Sequence, residues 1–139
     1  MYPYPPIEAP LQVCAGNPRY FAGPDHRALL LTGSHTWNNL VDMGPRGRVV
    51  PFDWDAYLSF LRDRGHNFIR LWAYDALGTW NPADEVLDLP WLRSGPGVAA
   101  DGGPKLDLEA LNPAYFDRLR ARVGSARDAG IYVGVMLFD

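Results

Sequence analysis

The apolar positions of this chain fall into short continuous runs separated by amphipathic segments. Residues 28–32 are apolar without alternation, which is typical of a strand buried on both faces. Residues 68–74 are aromatic and branched, and residues 131–138 form a further apolar run. We therefore predict three buried strands, a pattern that favours a parallel sheet.

Two amphipathic segments predict helices between these strands. The first begins after Asp53, a residue type that caps helix N-termini, and Gly65 follows its end. The second begins with Asn112 as its cap and Pro113 in its first turn, and Gly130 closes it. Apolar side chains recur at helical spacing on one face of each segment: Trp54, Tyr57, Leu58 and Leu61 in the first, and Phe116, Leu119, Val123 and Ala126 in the second.

The rest of the chain is richer in proline and glycine. Residues 1–16 are predicted as an extended, proline-rich arm. β-Prone runs at residues 19–21 and 28–32 flank a Gly-Pro-Asp turn at residues 23–25 and predict a hairpin. Residues 75–111 contain four prolines and no lasting helical period, so they predict a long ordered loop. Such a loop is unusual unless it is functional.

The order of these elements predicts an α/β fold. A hairpin is followed by strand, helix, strand, long loop, helix and strand. Strands that alternate with helices form a parallel sheet with the helices outside. In such folds the ligand sites lie beyond the carboxyl ends of the strands, so the candidate functional residues are those that follow the three strands.

Composition narrows the class of protein. The chain has 139 residues, a formal net charge of −3 and 47% hydrophobic residues, which suits a folded domain. A single cysteine, Cys14, excludes a disulfide scaffold. Charges are interspersed and no apolar run approaches the roughly 18 residues of a membrane span, so we expect no nucleic-acid and no membrane partner. The first residues lack the features of a signal peptide, and both a secreted and a cytoplasmic location stay open.

Aromatic and amide side chains lie at the predicted strand ends. His35, Trp37 and Asn38 follow the first strand, and Trp72 lies near the end of the second. Flat aromatic rings beside hydrogen-bonding groups suit sugars, whose faces are rich in C–H groups and whose edges carry hydroxyls. We predict that these four residues contact a carbohydrate, with core packing of the two tryptophans as the alternative. Trp80 falls on the same predicted face.

Charged residues at the strand ends form a second group of candidates. Arg70 lies inside a strand predicted to be buried, where an unpaired guanidinium is costly. It would either keep a catalytic carboxylate ionised or form a structural ion pair with Asp75 or Asp139, which follow strand ends. Because all three lie at predicted strand ends, Arg70, Asp75 and Asp139 are also predicted to line the substrate site. Because no phosphate-binding motif or metal-ligand spacing occurs, we predict no cofactor and no metal.

Several motifs in this order resemble cellulase-like glycoside hydrolases, the clan of retaining β-glycosidases with a (β/α)8 barrel that includes family 5. The resemblance covers the chain from about residue 17 onwards. The motifs are Asn-Pro-Arg-Tyr-Phe at 17–21, Leu-Thr-Gly-Ser-His-Thr-Trp at 31–37, Gly-His-Asn-Phe-Ile-Arg-Leu-Trp at 65–72, and the segments 105–108, 112–119 and 130–133.

The resemblance implies that residues 17–139 are the N-terminal part of a (β/α)8 TIM barrel, with a hairpin lid and about three βα units. A complete barrel takes about 250 residues. The clan's acid/base and nucleophile are glutamates at the ends of later strands, for which this chain has no matching position. Arg70 matches the clan's arginine near the nucleophile, and His35, Trp37 and Asn38 match the segment that faces the substrate.

The sequence therefore predicts a glycoside hydrolase-like protein. Its parent would hydrolyse poly- or oligosaccharides with retention, whereas the chain itself lacks the catalytic carboxylates and is expected to show no turnover. Two alternatives stay open: a non-catalytic carbohydrate-binding or scaffold fragment, and a small α/β domain with metal-assisted hydrolysis at His35 and Asp139. The expected partner is a carbohydrate. A partial barrel would also leave strand edges through which copies of the chain self-associate.

Overall fold

A computed structural model describes residues 5–74 and 79–137 of the chain. The chain divides into two compact units. The first unit takes in the chain up to His35 together with Asp53–Leu71 and Arg122–Gly134, and the second takes in Thr36–Phe52, Trp72–Ala121 and the chain from Val135. In chain order the elements of the described residues are β1 (Gln12–Val13), β2 (Phe21–Ala22), β3 (Ala28–Leu29), β4 (Asp42–Pro45), α1 (Trp54–Asp63), β5 (Phe68–Trp72), β6 (Asp84–Leu87), β7 (Trp91–Val98), β8 (Pro104–Leu111), α2 (Pro113–Asp128) and β9 (Tyr132–Met136).

Three short strands of the first unit form an antiparallel sheet. β2 pairs with β1 on one side and with β3 on the other, so the predicted hairpin around the Gly-Pro-Asp turn is confirmed. β1 belongs to the arm, where the Ile7 N–H also donates to the carbonyl of Arg127 at 2.9 Å. The expected burial of residues 28–32 on both faces is wrong, since Leu30 is 79% exposed.

Both predicted helices are confirmed, and capping decides where they begin and end. At the start of α1 the Asp53 Oδ1 accepts a hydrogen bond from the Ala56 N–H at 2.9 Å. Gly65 follows this helix with φ +69°, a conformation that favours glycine. At the start of α2 the Asn112 Oδ1 accepts from the Ala114 N–H at 3.2 Å. These signals are local, which is why the sequence alone could reveal them.

β5 and β9 form a two-stranded sheet. The side chain of Asn67 connects the start of β5 to the segment after β3. Its Oδ1 accepts from the Thr32 N–H at 2.9 Å, and its Nδ2 donates to the Leu30 carbonyl at 3.0 Å. A Cβ on Gly33 would lie 1.7 Å from the Phe68 carbonyl oxygen, so only glycine permits this approach of two backbones. Asn67 and Gly33, which lie in the motifs of the resemblance, thus have a structural role.

The long loop predicted over residues 75–111 is wrong for the described part of that range. β6 pairs antiparallel with β4, and β7 pairs antiparallel with β8. The prolines here indicated a loop, yet Pro96 lies within β7 and Pro104 begins β8. The β7–β8 ladder contains register shifts, and such irregularities accommodate residues that cannot donate a ladder hydrogen bond.

The predicted fold class is therefore wrong, because the structure does not resemble the N-terminal part of a TIM barrel with three βα units. Three of the four sheets in the described residues are antiparallel, and they are small. The apolar run at residues 28–32 contributes only the short strand β3, which pairs within a hairpin. A connection as short as residues 99–103 can join only antiparallel neighbours, since parallel strands need a dozen or more residues to cross over.

Each unit has its own fully buried side chains. In the first unit they include Leu61, Ile69 and Ile131, and in the second Leu40 and Val41. Across the described residues, none of the helices has the length and apolar character needed to cross a membrane. Self-association through strand edges stays a prediction.

Candidate functional site

Three tryptophans come together in the second unit. The rings of Trp37 and Trp72 stack, with centroids 4.8 Å apart and planes inclined by 22°. Trp80 meets Trp37 with centroids 6.5 Å apart and planes inclined by 71°. Trp37 is 48% exposed and Trp80 is 79% exposed, whereas Trp72 is half-buried. Trp37, Trp72 and Trp80 form what we term the tryptophan cluster, in which solvent reaches large aromatic surfaces.

The backbone beneath Trp37 is anchored by burial. Residues 39–41, which begin two positions after Trp37, are fully buried, including the polar side chain of Asn39. Beside Trp37, the Thr36 Oγ1 donates to the Asn38 Oδ1 at 2.8 Å. The backbone that carries Trp37 is thus held in place, while the indole ring itself is exposed.

Trp72 is the last residue of β5, and three hydrogen bonds hold this strand end. The backbone N–H of Trp72 donates to the Asn39 Oδ1 at 3.4 Å. The buried amide of Asn39 thus connects the chain segments that carry the two stacked tryptophans. The Ala73 N–H donates to the Met136 carbonyl at 2.9 Å. The Ala73 carbonyl in turn accepts from the Tyr115 hydroxyl at 2.6 Å. The strand end is therefore held from three directions.

Tyr74 turns the chain directly after this strand end. Its φ of +47° is left-handed, a conformation that is uncommon for residues other than glycine. Such strained residues persist only where the surrounding structure holds them, and they concentrate at functional sites. This backbone feature adds to the aromatic evidence for a site at the end of β5.

Hydrogen bonds within a short loop position Trp80. The Thr79 Oγ1 donates to the Asp84 Oδ2 at 3.0 Å, and the Asn81 Nδ2 donates to the Asp84 Oδ1 at 3.1 Å. The Asn81 N–H also donates to the Thr79 Oγ1 at 3.0 Å. Trp80 lies between two residues of this network, so its backbone is ordered while its ring faces solvent.

Of the residues predicted from the sequence, Trp37 and Trp72 are brought into contact, and Asn38 adjoins them. His35 is an exposed residue of the first unit and is described within that unit. Asp75 and Asp139 lie outside the described residues. The predictions that each of these three residues contacts a ligand stay predictions.

The expected burial of Arg70 is wrong. β5 alternates, so that Ile69 and Leu71 are buried while Arg70 is exposed. A Cβ on Gly134 would lie 3.9 Å from the Arg70 Cγ and 3.1 Å from the Phe68 Cζ, so the glycine leaves room for both side chains. The exposure of Arg70 removes the argument that its guanidinium must meet a carboxylate because it is buried. Its role beside a catalytic carboxylate stays a prediction.

Trp80 was recognised as a residue of the predicted ligand face but not as a site residue. The sequence places it in a predicted long ordered loop without strands. The pattern Thr-x-Asn-x-x-Asp at residues 79–84 was the available signal, because Asn, Asp and Thr side chains fold turns by bonding to nearby backbone groups.

The residues immediately next to each tryptophan of the cluster along the chain are uncharged. The described residues 36–41, 71–74 and 79–83 contain no Asp, Glu, Lys, Arg or His. Asp84, the next residue, has both carboxylate oxygens engaged by the loop that it closes. The cluster therefore combines aromatic faces with neutral amide and hydroxyl groups.

Charged side chains elsewhere in the second unit pair with one another. Arg118 contacts Asp88 and lies 3.4 Å from the Asp42 Oδ2. In the β7–β8 hairpin, Arg93 donates to both carboxylate oxygens of Asp101, at 2.7 and 2.8 Å. Hydrogen bonds from Arg93, and then from the Gly103 N–H, lower the pKa of Asp101 to about 2. These charged groups therefore have structural partners within the second unit.

No metal centre is formed by the described residues, in which no group of three or more His, Cys, Asp or Glu side chains is placed to hold an ion. The proposed metal pair of His35 and Asp139 is not tested by this result, because Asp139 lies outside those residues.

Comparison of the chain with models of protein families, with curated proteins and with solved structures gives no significant match in any of the three. The resemblance to cellulase-like glycoside hydrolases therefore stays a prediction from the sequence motifs.

Proposed function

We propose that the chain binds carbohydrate through Trp37, Trp72 and Trp80. The observation that carries the proposal is the contact of the three indole rings, two of which expose much of their surface to solvent. Sugar rings present C–H groups on their faces, and these groups pack against flat aromatic surfaces with little loss of conformational entropy.

The polar groups beside the rings support the same ligand class. Asn38 accepts from Thr36 through its Oδ1, and no described residue accepts a hydrogen bond from its amide NH2 group. That group is available to donate to a hydroxyl at the edge of a sugar ring. Aromatic faces flanked by a small number of neutral hydrogen-bonding groups match the two kinds of surface that a sugar presents.

Rigidity supports binding as well. The anchored backbone on both sides of the Trp37–Trp72 stack, through Asn39, leaves the rings already arranged before a ligand arrives. A ligand then loses less affinity to the ordering of side chains and loops.

Affinity electrophoresis in gels that contain soluble polysaccharides tests the proposal. We expect at least one neutral polysaccharide to retard the protein, and Trp37→Ala to weaken this retardation at least tenfold in the dissociation constant, about 1.4 kcal/mol. Tyr20→Ala is the matched control, because Tyr20 is an exposed aromatic residue of the first unit, 52% accessible. Equal loss in both variants, or no retardation by any glycan, would overturn the proposal.

Hydrolysis by the parent protein is a separate prediction that rests on the sequence resemblance, under which the chain itself shows no turnover. The strand positions to which the resemblance assigns the catalytic glutamates belong to a barrel that the structure does not form, so hydrolysis is not part of our proposal. An assay of the chain on aryl glycosides tests the expected lack of turnover, and clear activity that is abolished by Asp75→Ala or Asp139→Ala would contradict it.

A further inference from the structure

The angle between the indole planes restricts which form of carbohydrate can occupy the tryptophan cluster. This inference rests on the proposed function. Trp37 and Trp72 are close to parallel, at 22°, whereas Trp80 is inclined by 71° to Trp37. We propose that the ligand is a single, soluble, uncharged glycan chain and not the flat face of a crystalline polysaccharide or an anionic glycan.

A flat surface can contact a set of rings together only if the rings lie near one plane. At 71° the faces of Trp37 and Trp80 form a corner, with ring centroids 6.5 Å apart. Pressing one of the two rings flat on a plane leaves the other standing nearly on edge, so most of its exposed face goes unused. Since Trp80 is 79% exposed, a crystalline face would waste the most accessible ring of the cluster.

A single glycan chain fits such a corner. Rotation about glycosidic bonds turns successive sugar units relative to one another, and a single unit has both a flat face and an edge. One indole can therefore pack against a sugar face while the inclined indole packs against an edge or the next unit. Both exposed rings then bury surface in the complex.

The expected charge of the ligand is inferred from the side chains next to the three tryptophans in the sequence. The described residues 36–41, 71–74 and 79–83 carry no Asp, Glu, Lys, Arg or His side chain, and their polar groups are amides and hydroxyls. A carboxylate or sulfate on the glycan would lose its hydration beside these residues, and they offer it no cationic side chain, which is unfavourable. A neutral sugar loses only hydroxyl hydration, which amide and hydroxyl groups can replace.

The experiment compares polysaccharides that differ in one property at a time. Hydroxyethylcellulose and carboxymethylcellulose share a backbone and differ in charge, and galactomannan and polygalacturonate extend the comparison to other sugars. Microcrystalline cellulose supplies a flat crystalline face and is tested by sedimentation with the protein. Measurements at about 0.3 M salt screen long-range repulsion between the protein, whose net charge is −3, and the anionic polymers.

We expect a neutral soluble polysaccharide to bind at least tenfold more tightly than any anionic one, and no adsorption to the crystalline material. Trp80→Ala is expected to weaken soluble binding at least tenfold. Leu108→Ala is the matched control, since Leu108 is an apolar side chain of the same unit that is 67% exposed. Unfolding midpoints of both variants should equal that of the parent chain, because both side chains are mainly in solvent.

Four outcomes would overturn the inference. Equal binding of charged and neutral polymers, or adsorption to crystalline cellulose as strong as soluble binding, contradicts it while leaving carbohydrate binding intact. Soluble binding unaffected by Trp80→Ala also contradicts it, because the corner would then have no role. Absence of binding to every glycan overturns the proposed function together with this inference.

Discussion

Trp54 and the tryptophan cluster show two different uses of the same side chain. Trp54 is half-buried, its Nε1 donates to the Ser125 Oγ at 2.7 Å, and the guanidinium of Arg122 lies 5.3 Å from its ring centroid. Its hydrogen-bond donor and one face are thus occupied within the first unit. In the cluster, Trp37 and Trp80 contact other tryptophans and leave much of their surface to solvent.

The difference teaches how to separate structural from ligand-binding tryptophans. A structural indole has its N–H satisfied by the protein and its faces covered by side chains, as at Trp54. An indole that is free to bind a ligand would instead be held through its backbone and keep a face accessible, and Trp80, which we propose as a binding residue, lies in a loop fixed by Thr79 and Asp84. The variants below change one environment at a time, in order of expected effect.

The largest effect is expected at Trp54. Trp54→Ala removes a packed ring, the hydrogen bond to Ser125 and the contact with Arg122, and should lower the free energy of unfolding by about 3 kcal/mol. Chemical denaturation followed by circular dichroism measures this change. Trp80→Ala provides the contrast, with a change within about 0.5 kcal/mol because that ring is exposed. Similar losses in the two variants would remove the distinction between the two environments.

An intermediate effect is expected at Asn39, which connects the cluster to buried structure. Asn39→Ala removes the Oδ1 that accepts a hydrogen bond from the backbone N–H of Trp72. The substitution should lower the free energy of unfolding by about 2 kcal/mol. Glycan affinity should fall too, because the stack of Trp37 on Trp72 loses its anchor. Asn38→Ala, at a half-buried neighbour, is the control for stability and should change it by less than about 0.5 kcal/mol. An Asn39 variant with parental stability would show that the base of the cluster is not anchored there.

The smallest effect involves neither tryptophan environment. Asp101 has its pKa lowered from the ordinary value of 3.8 to about 2 by Arg93 and by the Gly103 N–H. A carboxyl group whose pKa is lower in the folded state stabilises the fold above its unfolded pKa, and this contribution disappears as the pH falls through its folded pKa. Because the group is solvent-exposed, we expect a small contribution.

The measurement for Asp101 is the difference in thermal unfolding midpoint between the parent chain and Asp101→Asn. This difference should be constant above pH about 5 and shrink as the pH falls from about 4 towards 2. A difference that grows on acidification would contradict the pairing of Asp101 with Arg93. Glycan affinity at the cluster should be the same in both proteins at neutral pH.

Much of the secondary structure could be predicted because its signals are local. Asp53 and Asn112 cap the two helices through their own side chains, and Gly65 adopts the left-handed conformation that follows a helix. The hairpin around residues 23–25 was predicted for the same reason. Two of the site residues, Trp37 and Trp72, were also predicted, because aromatic side chains in polar surroundings at strand ends carry a chemical signal.

The pairing of strands could not be predicted in the same way. The apolar run at residues 28–32 indicated a strand buried on both faces, but an apolar run does not say what will cover it, and Leu30 is exposed. Prolines indicated a loop across β7 and β8, but whether a proline is tolerated depends on which side of the ladder it faces. The burial of Arg70 could not be predicted either, because it depends on the alternation of buried and exposed side chains along β5, which places Arg70 on the exposed side.

The sequence by itself determined the ends of the helices, the positions of the turns and the aromatic and neutral character of the residues that make up the tryptophan cluster. These are properties of single residues and their near neighbours. Only the tertiary structure decided that most sheets of the described residues are antiparallel, that Trp80 contacts Trp37, and that the planes of those two rings meet at 71°. Such relations depend on which distant segments exclude water together, and that choice is made by packing across the whole unit and not by any local stretch of chain.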